Sequence, residues 1–120
     1  MTEKTHAVPN GVIHYWMNDF QQGRAVLVFL PGLTADHRLF DKQVEAFEST
    51  YNLLAWDAPG HGKSRPFVMD FTLAQKAAWL HAILQAQAGA ALGLGVLNDG
   101  VHLRFGKPKH TQDSHLDLQH

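Results

Sequence analysis

Ala25-Val26-Leu27-Val28-Phe29-Leu30-Pro31-Gly32-Leu33-Thr34 and Asn52-Leu53-Leu54-Ala55-Trp56-Asp57-Ala58-Pro59-Gly60-His61-Gly62-Lys63-Ser64 decide how this chain folds. Each is an apolar run of strand length that stops at a Pro/Gly corner, and a helix-patterned segment lies between them. The first run does not alternate apolar with polar residues, which marks a strand buried on both faces. Strand, helix and strand in this order predict parallel strands that deliver their loops to one edge of a sheet. In such sheets chemistry sits at the carboxyl ends of the strands.

Working outward, residues 8–17 read as a first, edge strand, because a Pro9-Asn10-Gly11 turn precedes the β-branched and aromatic run Val12-Ile13-His14-Tyr15-Trp16. Residues 18–23 are polar and end in Gly23, as a hairpin-type connection to the next strand should. Between 36 and 49, Phe40, Val44 and Phe47 recur at helical spacing, with Asp36 placed to cap and Asp41, Lys42, Glu45 and Glu48 on the water side. A second helix starts at Thr72, whose spacing to Gln75 is that of a capping box, with Leu73, Ala77, Leu80 and Leu84 as its apolar stripe. Trp16, Trp56 and Trp79 are expected in the core rather than in an aromatic subsite.

After Gln85 the local signals stop agreeing, since Gly89, Gly93 and Gly95 weaken either helix or strand. Residues 92–105 are expected to form a hairpin around Asn98-Asp99-Gly100 or a substitute strand. Residues 106–120 are polar, rich in histidine and without an apolar period, and are expected to be disordered. The expected organisation is therefore 1–91, 92–105 and 106–120.

A chain of 120 residues with 45% hydrophobic and 18% charged residues makes one small globular domain. A formal net charge of -1 argues against a nucleic-acid footprint or a polybasic membrane anchor. With no cysteine there is no thiolate catalysis, disulfide or Cys-based zinc site. No signal-peptide pattern or membrane-length run is present, so a cytoplasmic location is expected.

Residues 11–84 resemble the N-terminal part of the α/β-hydrolase superfamily, in the branch of esterases, lipases, haloperoxidase-like enzymes and carbon–carbon bond hydrolases. Phe29-Leu30-Pro31-Gly32-Leu33-Thr34 is similar to that family's strand followed by a His-Gly or Pro-Gly corner. Asp57-Ala58-Pro59-Gly60-His61-Gly62-Lys63-Ser64 is similar to its Asp-x-Pro-Gly-x-Gly-x-Ser turn. The resemblance implies an α/β fold, mostly parallel sheet with flanking helices. It also makes the backbone N–H of Leu33 one donor of an oxyanion hole, with Gly32, Thr34 and His61 lining a small-molecule acyl substrate. A donor fixed by a tight corner suits acyl transfer because it needs no reorganisation when charge develops on the carbonyl oxygen. No cofactor and no metal are implied.

The nucleophile-elbow half of the fold is missing from this sequence. The family next requires a strand into Gly-x-Ser-x-Gly, a distant acid and a late histidine. Ser49 and Ser114 have no flanking glycines, Ser64 follows the wrong strand, and Asp113, Ser114 and His115 are adjacent where triad partners come from separate elements. Codon choices for residues 92–100, read one nucleotide later, permit an apolar strand running into Gly-x-Ser. A shifted frame is thus an expectation that the encoding DNA tests. The functional expectation is a serine-type hydrolase of a small ester or other acyl substrate, present as an incomplete, inactive chain. The alternative is a noncatalytic binding or oligomerisation module, self-associating through an exposed edge of the strand 25–30.

Two other motifs point elsewhere. Gly60-His61-Gly62-Lys63-Ser64 ends like a phosphate loop, but Asp57 stands where that pattern needs its first glycine. His110, His115 and His120 are spaced by five, which does not bring them to one helical face for a metal. His37, at the start of the first helix, is expected at the surface, and Asp57 is expected to fix its turn through backbone N–H bonds.

Overall fold

A computed structural model describes residues 1–32, 34–88, 94–98, 101–105 and 116–119. Its strands are β1 (Thr2–Val8), β2 (Gly11–Met17), β3 (Val26–Leu30), β4 (Asn52–Trp56), β5 (Leu94–Asn98), β6 (Val101–Phe105) and β7 (Leu116–Gln119). A 3-10 turn His37–Phe40 runs into helix α1 (Asp41–Phe47), and helix α2 spans Leu73–Ala88. The strands form one sheet in the order β1-β2-β4-β3-β5-β6-β7.

The sheet is mixed. The parallel pairings are β4 with β3 and β3 with β5, at the centre. Antiparallel strands extend it on both sides, β1 and β2 beyond β4, and β6 and β7 beyond β5. Residues 18–23 are therefore no hairpin, because β4 lies between β2 and β3. Nor is the first predicted strand the edge: Pro9 and Asn10 turn the chain back onto β1, which pairs with β2 from Thr2↔Met17 to Val8↔Gly11 and takes the edge.

The strand expected to expose an unpaired side is paired on both. Val26 faces Asn52 on one neighbour and Leu94 on the other. The edge at the amino-terminal side is β1, which carries Glu3 and Lys4, charges that discourage edge-to-edge pairing. Within 106–120, Leu116–Gln119 forms a strand paired with β6, and the remainder of that segment lies outside the described residues. So do Asp99 and Gly100 of the expected hairpin turn, whose arms pair antiparallel from Leu94↔Phe105 to Asn98↔Val101.

Two apolar clusters sandwich the sheet. On one face Ile13, Tyr15, Met17, Val26, Val28, Leu54 and Trp56 pack against Ile83, with Trp79, Leu80 and Leu84 beside it. On the other, Phe29, Leu53 and Ala55 pack against Phe40, and Val44 closes the edge. The α2 stripe thus runs through Trp79, Leu80, Ile83 and Leu84, whereas Leu73 is 80% exposed and Ala77 faces solvent. Alanine at so many positions leaves the helix period ambiguous, and the large side chains decide which face is buried. The capping box forms: Thr72 N–H donates to Gln75 Oε1 at 2.7 Å and Gln75 N–H to Thr72 Oγ1 at 3.1 Å.

The crossing from β2 to β3 is held by two asparagines. Asn18 Oδ1 accepts Leu53 N–H at 2.7 Å, and its Nδ2 donates to the Glu48 and Tyr51 carbonyls. Asn52, fully buried, accepts Gln21 N–H on Oδ1 at 2.8 Å and donates from Nδ2 to the Gln21 and Arg24 carbonyls. Asn52→Leu strands those three backbone groups without the amide. It is expected to lower stability by about 2–3 kcal/mol, since each buried group left unsatisfied costs about 1–3 kcal/mol and water reaches some of them. Urea denaturation checks this, and a midpoint equal to that of the parent protein rules it out.

Candidate active site

The loops after β3 and β4 emerge side by side, because the parallel register sets Phe29 against Ala55 one residue before the strands end. The first loop turns back at once: Ala35 N–H donates to the Gly32 carbonyl at 3.2 Å. Thr34 sits at φ 67°, a left-handed conformation that costs a β-branched residue energy and is kept where surrounding structure demands it. Leu33, the expected oxyanion donor, lies outside the described residues; Gly32 and Thr34 flank it.

The second loop closes around the Asp57 side chain. Asp57 is 1% exposed. Its Oδ1 accepts the His37 backbone N–H at 2.8 Å and the His37 ring Nδ1 at 2.9 Å, and its Oδ2 accepts Lys63 N–H at 2.8 Å. Gly62 is obligatory there, with φ at +50° and a backbone so close that a Cβ would run into the Asp57 carboxylate. Behind this turn, buried Ser64 joins β2 to β4: its hydroxyl donates to the Asp57 carbonyl at 2.6 Å and accepts His14 N–H at 2.9 Å.

This geometry disposes of the phosphate-loop motif. The loop N–H groups that would cradle an anion are engaged internally, those of Gly60, His61 and Ser64 on the Ser64, Ala58 and His61 carbonyls and that of Lys63 on the Asp57 carboxylate. Asp57 fixes its turn as expected, but the reach to His37 was not legible from spacing. The only local signal was that both residues follow neighbouring parallel strands.

His37 is correspondingly not a plain surface residue. Its ring stacks on Trp16, with centroids 3.4 Å apart and planes 13° from parallel, and its side chain is 21% exposed. Trp16 is buried, so one of the tryptophans assigned to the core also forms the floor of this site. On the other side of the group, Glu3 Oε2 meets His14 Nδ1 at 2.7 Å and Glu3 Oε1 accepts Lys63 Nζ at 3.0 Å. Hydrogen bonds from His14 first, then Lys63, hold the Glu3 carboxyl below its ordinary range. His61 is a turn residue, its N–H on the Ala58 carbonyl at 2.8 Å and its ring nitrogen 3.2 Å from the Pro59 carbonyl.

Asp36 caps the 3-10 turn by accepting Arg38 N–H at 2.9 Å, and its carboxylate also takes the Arg38 guanidinium at 2.7 Å. The guanidinium hydrogen bonds, ahead of the backbone one, lower its carboxyl to about 2 from 3.8. A depressed carboxyl contributes stability in full above its ordinary value and loses it as pH falls through the folded value. Arg38→Ala is therefore expected to move the Asp36 titration, followed by side-chain carboxyl NMR, up toward the ordinary range. An unmoved midpoint would show that Arg38 does not set it. Donor atoms of Asp36, His37 and Asp57 lie within 4.8 Å of one another. A cation there would have to displace Arg38 and the N–H donors that now occupy both carboxylates.

An apolar surface groove of about 440 Å³ lies at the tip of the β1–β2 hairpin, between Val8, Pro9 and Val12 on one side and Pro66, Phe67 and Val68 on the other. It shares no lining residue with the Asp57 turn or the Gly32 loop. No helix among the described residues is long and apolar enough to cross a membrane.

No family model and no curated protein matches the sequence. Solved structures do match the fold. MGS-M2, an α/β hydrolase enzyme from a Medee basin deep-sea metagenome library, superposes with a TM-score of 0.67 at 20% identity over 81% of this chain and 36% of its own. The chain carries part of the α/β-hydrolase fold. The Cif epoxide hydrolase from Acinetobacter nosocomialis matches with a TM-score of 0.68 at 18% identity, over 82% of this chain and 31% of its own. The enol-lactonase from Burkholderia xenovorans LB400 matches with 0.63 at 23%, over 81% and 38%. The chain spans about a third of the length of these α/β-hydrolase-fold proteins.

Proposed function

We propose that this chain is the oxyanion-loop half of a serine-type α/β-hydrolase acting on a small ester or related acyl substrate, without the nucleophile elbow. The observation that carries the reading is the tight turn Gly32–Ala35, with its left-handed Thr34, at the carboxyl end of the central strand β3. A strained, hydrogen-bonded corner of this kind presents backbone donors to an acyl oxygen without reorganisation. Gly32, Thr34 and His61 line that side of the substrate. Without a serine nucleophile, turnover is slow and accumulates no acyl-enzyme.

Hydrolysis of p-nitrophenyl butyrate by the full chain tests this. The expected trace is linear, without a burst, and Leu33→Pro, which deletes the donor N–H, lowers the rate by about 10²-fold or more. A burst equal to the protein concentration, or a rate indifferent to Leu33→Pro, defeats the proposal.

A further inference from the structure

Two main-chain N–H groups, those of His37 and Lys63, bond the Asp57 carboxylate, and the His37 imidazole bonds the same Oδ1 as its own backbone. A carboxylate only accepts, so the proton in this contact belongs to Nδ1, and the lone pair of the neutral ring is left on Nε2. No hydrogen bond engages Nε2 among the described residues. Stacking on Trp16 removes the ring's remaining rotation. The result is an imidazole oriented by a buried carboxylate, with about a fifth of its side chain open to water, three residues beyond Thr34. The other histidines with ring partners lack this setting: His14 leans on half-exposed Glu3, His61 on the Pro59 carbonyl, and His81 on Gln85.

We propose that His37 and Asp57 form an acid–base dyad that activates water against an acyl carbonyl at the carboxyl edge of the sheet. His37 is the catalytic residue and Asp57 the positioning residue. Nε2 takes a proton from water as the water oxygen bonds to the acyl carbon and the carbonyl π pair moves to oxygen. The oxyanion then re-forms the carbonyl, the bond to the alkoxy leaving group breaks, and that oxygen takes the proton back from Nε2. One ester and one water give one acid and one alcohol, with no further reactant. The substrate class rests on the acyl-transfer reading above, whereas the reactivity of the dyad does not.

Three measurements on the full chain test it. In His37→Asn the side-chain amide overlays Nδ1 and keeps the bond to Asp57 but removes Nε2. It is expected to lower p-nitrophenyl butyrate hydrolysis by about 10²-fold, the lower range for a positioned base, with unchanged circular dichroism, while His81→Gln has no effect. Diethyl pyrocarbonate, read by peptide mass spectrometry, is expected to label His37 before the more exposed His81. Imidazole ¹⁵N spectra are expected to place the neutral-ring proton of His37 on Nδ1, a signature that packing alone would not produce. Loss of hydrolysis in Leu33→Pro but not in His37→Asn overturns the dyad and leaves the oxyanion loop standing. The reverse pattern does the opposite. If the chain hydrolyses nothing, the acyl reading falls, and labelling of His37 no faster than His81, or a proton on Nε2, overturns the dyad by itself.

Discussion

Asp57→Ala is expected to destabilise the protein by about 3–5 kcal/mol, since each buried donor stripped of its acceptor costs about 1–3 kcal/mol. Three donors lose their acceptor at once: His37 N–H, the His37 ring and Lys63 N–H. The side chain is 1% exposed, so water cannot replace it without opening the turn. Domains of this size hold about 5–15 kcal/mol in all, and the variant should unfold at a much lower urea concentration. Asp57→Asn keeps an acceptor at one position and presents an NH₂ to Lys63 N–H at the other, so its loss should be smaller but distinct. A midpoint for Asp57→Ala within error of the parent protein would mean that the turn is held by its backbone bonds alone.

Phe29→Ala should be of comparable size, about 3–5 kcal/mol for an aromatic side chain emptied from a core. Phe29 is 1% exposed on the central strand β3 and stacks on Phe40, with centroids 5.1 Å apart. Phe40 ends the 3-10 turn that begins at His37. The cavity would therefore loosen the 3-10 turn that carries His37 as well as the core, and His37 should become more reactive to solvent-borne reagents while losing its bond to Asp57. Phe29→Leu fills most of the volume and should cost well under half as much. Equal midpoints for the two variants would indicate that the neighbouring residues collapse into the space.

The features legible in the sequence are those whose cause is local. The runs at β3 and β4 are apolar throughout because both faces of a central strand are covered, and Asp36, Thr72 and Gln75 satisfy helix termini within three residues of themselves. The features missed depend on distant partners. Strand β1, Thr-Glu-Lys-Thr-His-Ala-Val, has little apolar alternation of its own and is a strand because β2 offers a complementary edge. Placing β4 between β2 and β3 is likewise a tertiary choice that no spacing announces. In the site, the Gly60 and Gly62 corners and the role of Asp57 in its turn could be read directly. The contact between His37 and Asp57 spans twenty residues and required the parallel register of β3 and β4 to be seen.

The placement of β3 at the centre of the sheet carries a kinetic consequence. The β1–β2 hairpin closes through Pro9 and Asn10 and can form in about 1–10 μs, but β3 gains its second neighbour only when Leu94 reaches Val26. Non-local parallel pairing of that kind is intrinsically slow. Until it occurs, the apolar side of β3 is open to any passing chain, a hazard absent from the finished sheet. Refolding yield should therefore fall as protein concentration rises.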